Sequence, residues 1–140
     1  MGFGDAVKSV FSKYATFSGR ARRSELWFWA LFVALVAVAL SILVNTTDGL
    51  TVDMTTMAIS YGATYWIASL VNLALLLPGI AVTVRRLHDT DRSGFWWFIG
   101  LVPLAGPIVL LVFTVQDGTP GDNRFGTSPK AVAAPVPAAV

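Results

Sequence analysis

The run Leu26-Trp27-Phe28-Trp29-Ala30-Leu31-Phe32-Val33-Ala34-Leu35-Val36-Ala37-Val38-Ala39-Leu40-Ser41-Ile42-Leu43-Val44 contains 19 residues and no charge. A helix needs roughly 20 predominantly apolar residues to cross the hydrocarbon of a bilayer. The run therefore predicts a membrane-spanning helix over residues 26–44. Ala30, Ala34, Ala37 and Ser41 lie along it as a stripe of small side chains. Such a stripe lets a second helix approach closely, which matters where lipid removes the hydrophobic drive between helices.

Upstream, Arg20, Arg22, Arg23 and Glu25 precede the run, and Gly19 separates them from a more amphipathic stretch. Within it, Phe3, Val7, Val10, Phe11 and Tyr14 repeat at helical spacing, with Asp5, Lys8, Ser9, Ser12 and Lys13 on the other side. Residues 1–19 are too short and too polar to span. They predict an amphipathic helix, either lying in the membrane interface or packed on the protein's own polar loops.

Downstream, Asn45 to Met57 is polar and free of Lys and Arg. A second apolar segment covers 59–84. Pro78-Gly79 should bend it, and Asn72 near its middle is expected to hydrogen-bond across to another helix. The stretch Arg85-Arg86-Leu87-His88-Asp89-Thr90-Asp91-Arg92-Ser93-Gly94 is the most polar internal one. A third apolar segment, 95–115, holds Pro103-Leu104-Ala105-Gly106-Pro107 at its centre. It is too short for two crossings, so it is one broken span or a re-entrant hairpin. Pro107 would suit the first turn of a new helix. The predicted architecture is an all-α small membrane bundle: one domain over residues 1–129, followed by a disordered Pro/Ala tail over 130–140.

Composition agrees. Charged residues make up 13% and hydrophobic ones 55% of the 140, against about a quarter charged in a soluble domain. The absence of cysteine excludes disulfides, thiolate metal sites and cysteine nucleophiles. A net charge of +2 gives nucleic-acid binding no support. The ten basic residues divide unevenly: Lys8, Lys13, Arg20, Arg22 and Arg23 before the first span, Arg85, Arg86 and Arg92 after the second, Arg124 and Lys130 in the tail. Short loops rich in Lys and Arg stay cytoplasmic, which puts the N-terminus and the Arg85–Gly94 loop inside. A simple third span would place the tail outside, and a re-entrant segment would place it inside. Trp27-Phe28-Trp29, Tyr61, Tyr65-Trp66 and Phe95-Trp96-Trp97 mark segment ends at headgroup level.

Chemistry is sparse. His88 beside Asp89, with Asp91 and Ser93 nearby, has no accompanying nucleophile motif, and adjacent helical residues point apart. His88, Asp89, Asp91 and Glu25 offer one imidazole and no recognised metal-ligand spacing. No catalytic, cofactor or metal site is predicted. The expected roles are structural: Glu25, Asp89 and Asp91 pair with the arginines of the two inner segments, and Asp91 or Ser93 caps the third helix. The basic side chains could instead meet anionic lipid headgroups.

Three blocks carry a resemblance. Tyr14-x-x-Phe17-Ser18-Gly19-Arg20-Ala21-Arg22-Arg23-Ser24-Glu25-Leu26-Trp27, then Arg85 through Trp96, and Gly118-Thr119-Pro120-Gly121-Asp122-Asn123-Arg124-Phe125-Gly126 are similar, in order, to the bacterial family catalogued as domain of unknown function 805. The resemblance covers residues 14 to about 129 and implies a multi-pass protein of the bacterial inner membrane with no assigned activity. If the block around Asn123 and Arg124 docks on the other two, the third segment is re-entrant. The leading functional expectation is a non-enzymatic accessory subunit or homo-oligomer associating through its helices. The alternatives are a small oligomeric transporter or channel, and a binder of anionic lipid. Broken helices favour a transporter, while the absence of charge inside the apolar segments argues against an ion pathway.

Overall fold

The computed structural model describes residues 1–47 and 49–130; the expected disordered tail lies outside these from residue 131. Two long helices dominate: α2, Arg23–Thr46, and α3, Ala63–Asp89. At 1.5 Å per residue they are about 36 and 40 Å long, enough for a hydrocarbon core of about 30 Å. Both are apolar enough to cross a membrane. At its charged end each runs past the segment expected from hydropathy, because the charged residues there continue the helix. Ile59–Tyr61, assigned above to the second segment, is instead strand.

The polar connection is not helical. Leu50–Asp53 (β1) pairs antiparallel with Ala58–Tyr61 (β2), with Leu50 opposite Tyr61 and Val52 opposite Ile59. This small sheet adds a β element to the expected all-helical bundle. Asp53 organises its turn by accepting from the Thr55 amide at 2.8 Å and the Thr56 hydroxyl at 2.9 Å. The Thr55 amide is the main reason the Asp53 carboxyl titrates below its ordinary value.

The first helix, α1, is Phe3–Ser12. It ends well before Gly19, where the chain turns across α3. Ala6 and Val10 are fully buried, and Val10 joins Ala21, Trp29 and Val82 in the main core cluster. The Phe11 ring stands edge-on to Trp29 and Phe32, with centroids 5.1 and 5.8 Å apart. The apolar face of α1 thus packs on the halves of α2 and α3 that carry their charged ends. Toward the other end Leu35, Val38, Ile42, Leu70 and Leu73 are exposed, a surface suited to lipid rather than water.

Helix α3 continues through Pro78. Proline supplies no amide for the carbonyl four residues earlier, and the Tyr14 hydroxyl donates to that carbonyl, on Ala74.

The third apolar segment folds back on itself. A 3₁₀ helix, Gly94–Leu101, leads to Val102–Leu104, and α4 follows over Ala105–Val115. Ser93 caps the 3₁₀ helix by accepting from the Phe95 amide at 3.3 Å. Leu104 takes a left-handed conformation, φ 64°, which costs energy for a residue bearing a branched side chain. Gly106 then lets the arms touch: a Cβ there would stand 1.8 Å from the Ile99 carbonyl oxygen. At about 2.0 Å per residue for the 3₁₀ arm and 1.5 Å for α4, each arm is about 16 Å long.

Candidate functional site

The last four carbonyls of an α-helix have no amide to receive and need other donors. Here α3 and α4 both end at the same place, and all three polar blocks supply those donors, the first two through arginines and the third through the Thr119 amide and the Asn123 side chain. Arg86 donates through Nε to the Thr114 carbonyl at 3.1 Å and through Nη2 to the Gln116 carbonyl. Arg23 reaches the Val115 carbonyl at 3.2 Å. The Asp89 carbonyl, at the end of α3, accepts from the Thr119 amide at 2.8 Å. Asn123 gives its amide to the His88 carbonyl and to the Thr119 hydroxyl, both at 2.9 Å. Positive charge at helix C-termini also complements the macrodipole.

Asp89 is the hub. Its Oδ1 accepts from Arg20 Nε at 2.9 Å and its Oδ2 pairs with Arg86 Nη1. Gly118 lies against this carboxylate so closely that a Cβ would stand 2.1 Å from Oδ2. Arg20 continues to the carbonyls of Thr119 at 2.7 Å and Gly121 at 2.6 Å. A second buried pair, Arg85 Nη1 to Glu25 Oε1 at 3.0 Å, is extended by the Ser9 hydroxyl, 3.1 Å from the same oxygen. Arg85 Nε and Nη2 have no partner among the described residues. The side chains of Arg20, Arg85, Arg86, Glu25 and Asp89 are all at most 3% exposed. Three guanidinium groups therefore face two carboxylates. The helix-end and loop carbonyls balance the surplus, as a buried charge requires.

Around this centre the contacts range from half-buried to exposed. Arg22 donates through Nε to the Pro129 carbonyl at 2.8 Å. Asp117 meets Arg23 at 2.8 Å and Lys130 at 2.7 Å. The Lys130 hydrogen bond, followed by the Arg23 charge, holds its carboxyl below the ordinary value. Arg92 lies over the Phe113 ring, 4.1 Å from its centroid. Asp91 pairs with Arg124 at 3.2 Å, in the third block rather than with an inner-segment arginine as expected. His88 stacks on Phe125 with centroids 3.9 Å apart. Glu25, Asp89 and Asp91, weighed above as metal ligands, are thus each engaged by a different set of arginines.

The small-residue stripe lies elsewhere. Ala30, Ala34 and Ala37 line a groove of about 970 Å³ between α2 and α3, facing Ser69 and Asn72. Ser41 lines an adjoining cleft of about 210 Å³ with Asn72. Asn72 does not bond across to α2. It donates back to the Ala68 carbonyl of its own helix at 2.9 Å. Gly118, Thr119 and Gly121 carry no expected role from sequence, although all three stand in the third quoted block, and Tyr14 is marked only as part of an apolar helix face.

The chain matches, over residues 14–127, the family described as "Protein of unknown function (DUF805)". It is 42% identical over 122 residues to the inner membrane protein YhaI of Escherichia coli (strain K12), covering 87% of this chain and 92% of that one. It is 37% identical over 126 residues to the inner membrane protein YhaH of the same strain, covering 90% and 97%. The uncharacterized protein YiiR of that strain is 29% identical over 136 residues, with 79% and 84% covered. No solved structure matches. The chain belongs to the DUF805 family and is a membrane protein.

Proposed function

Starting from membership of a family with inner-membrane relatives, we propose that this chain works without enzymatic chemistry, as a helix-associating subunit of a homo-oligomer or a larger membrane complex. The observation that carries the reading is the open groove between α2 and α3. Its alanine wall would admit a further helix at close range. The arginine cluster serves as an internal latch, since each of its carboxylates is already engaged by arginine. Lys and Arg placement supports a cytoplasmic N-terminus and a cytoplasmic latch. The third segment is then re-entrant: arms of about 16 Å reach only halfway through a core of about 30 Å.

The chain lacks cysteine, so single cysteines report cleanly. Ala34→Cys, oxidised in native membranes, should give a disulfide-linked dimer or a larger adduct. A chain that forms no adduct and purifies as a partnerless monomer would refute the association reading. For sidedness, Met54→Cys in the strand turn should react with an impermeant thiol reagent in intact cells. Thr127→Cys should react only after permeabilisation, and its labelling from outside would sink the re-entrant reading.

A further inference from the structure

A pocket of about 640 Å³ opens between α3 and the 3₁₀ arm, on the far side of α3 from α1. Ile80, Val84, Phe95 and Phe98 give it apolar walls, Phe17 closes one side, and His88 and Ser93 stand at its polar end. His88 is only 9% exposed. Its Nδ1 lies 3.1 Å from the Gly19 carbonyl oxygen, which can only accept. The proton therefore sits on Nδ1, and Nε2 of the neutral ring is left as an acceptor. Nε2 faces Gly94, 3.4 Å from where a Cβ would stand, and has no hydrogen-bond partner among the described residues. One exposed cation lies near this end. The Arg124 guanidinium is 4.7 Å from the centre of the Phe125 ring that stacks on His88. Its side chain is 61% exposed, and its carboxylate partner Asp91 is exposed with it, a surface pair that holds its charge only weakly.

We propose that this pocket seats one acyl chain of an anionic phospholipid whose headgroup carries a hydroxyl. The hydroxyl donates to His88 Nε2, and the phosphate lies beside Arg124. Lipid is the medium around these segments, so an apolar pocket open to it takes an acyl chain unless protein fills it. The pairing of an unpartnered acceptor with one exposed, weakly paired cation selects the headgroup. A phosphoglycerol offers both a donor and a negative charge, whereas a choline headgroup has no donor and adds a cation. Gly94 keeps the entrance clear, because a Cβ there would meet Val84 at 2.7 Å. The pocket and the alanine groove that carries the association reading meet at Ile80 and Trp97. Val84 and His88 line the pocket but not the groove, and Ala30, Ala34 and Ala37 the groove but not the pocket, so changes at these positions let either reading fail without the other.

Native mass spectrometry of the full chain in detergent tests this, whichever way the protein faces. The probes are phosphatidylglycerol and phosphatidylcholine with matched acyl chains. One phosphatidylglycerol per chain should be retained at several-fold lower lipid concentration than phosphatidylcholine. Val84→Trp, which fills the pocket, should lower phosphatidylglycerol retention several-fold. His88→Phe keeps the stack on Phe125 but removes the acceptor, and should bring retention toward the phosphatidylcholine level. Equal retention of both lipids by the native chain overturns the proposal, as does unchanged retention by Val84→Trp. If Val84→Trp does not fold, Val84→Phe fills the same space more mildly and is read in the same way.

Discussion

Tyr14 and Ala74, 60 residues apart in sequence, are joined by a hydrogen bond from the tyrosine hydroxyl to the alanine carbonyl. The bond answers a need created by Pro78, which gives that carbonyl no amide. A membrane helix interrupted by proline needs such a substitute donor, because lipid offers none.

Tyr14→Phe should therefore destabilise the protein by roughly 1–2 kcal/mol, the upper range for polar contacts inside membranes. In a Pro78→Ala background, where the helix again donates to Ala74, the same change should cost far less. A double-mutant cycle read by denaturant unfolding in detergent checks this. Equal costs in the two backgrounds would remove the link between Tyr14 and the proline.

Asp89→Ala should be among the most damaging single changes, at about 3–5 kcal/mol, since it leaves Arg20 and Arg86 buried without their carboxylate. Asp91→Ala removes an exposed pair with Arg124 and should cost less than about 1 kcal/mol. Melting temperatures of the two variants in one detergent give the comparison.

Three glycine substitutions separate contact with backbone or carboxylate from contact with a flexible side chain. Gly118→Ala would force a methyl into the Asp89 carboxylate and should release the third block, seen as rapid proteolysis after Gln116. Gly100→Ala meets only the Leu110 side chain, at 2.7 Å, and should be tolerated after a rotamer change. Gly106→Ala, aimed at the Ile99 carbonyl, should splay the two arms and disturb the Trp96–Phe113 contact now at 5.4 Å.

Asp117 predicts a pH limb. Its carboxyl titrates below the ordinary value in the folded chain, chiefly through Lys130 and then Arg23. The contribution is therefore present above the unfolded pKa, about 3.9, and lost as pH falls through the lower folded one. A spin label at Thr127→Cys should gain mobility as the medium is acidified below about pH 4. Asp117→Asn should give the mobile spectrum already at neutral pH.

The long helices were legible because hydropathy over twenty residues depends on lipid alone. Their ends were not: Arg23 to Glu25 and Arg85 to Asp89 continue their helices because other blocks neutralise them, which a local reading does not weigh. The β-hairpin was hidden in a stretch read for its missing Lys and Arg, although Leu50 and Val52 alternate opposite Ile59 and Tyr61. Pro103 to Pro107 suits a kinked span and a reversal equally. Leu104 turning left-handed and Gly106 resting on Ile99 are tertiary facts. At the site the residue types were visible and the pairing was not, so Asp91 was matched to the wrong arginines. The bond between Tyr14 and Ala74 has no local signal at all.

The connection of Arg20 to Gly121 and Gly126, 101 and 106 residues further on, also sets an order of assembly. At about 5–20 residues per second, translation leaves that guanidinium waiting roughly 5–20 s for its carbonyls. Meanwhile α2 and α3 can enter the bilayer while their arginines stay hydrated at its surface. Arg20 keeps its Asp89 partner meanwhile, but its remaining donors stay wet until the third block arrives. A nascent chain halted before Gly118 would show a half-satisfied, hydrated guanidinium at the membrane surface, a state chemically distinct from the finished protein.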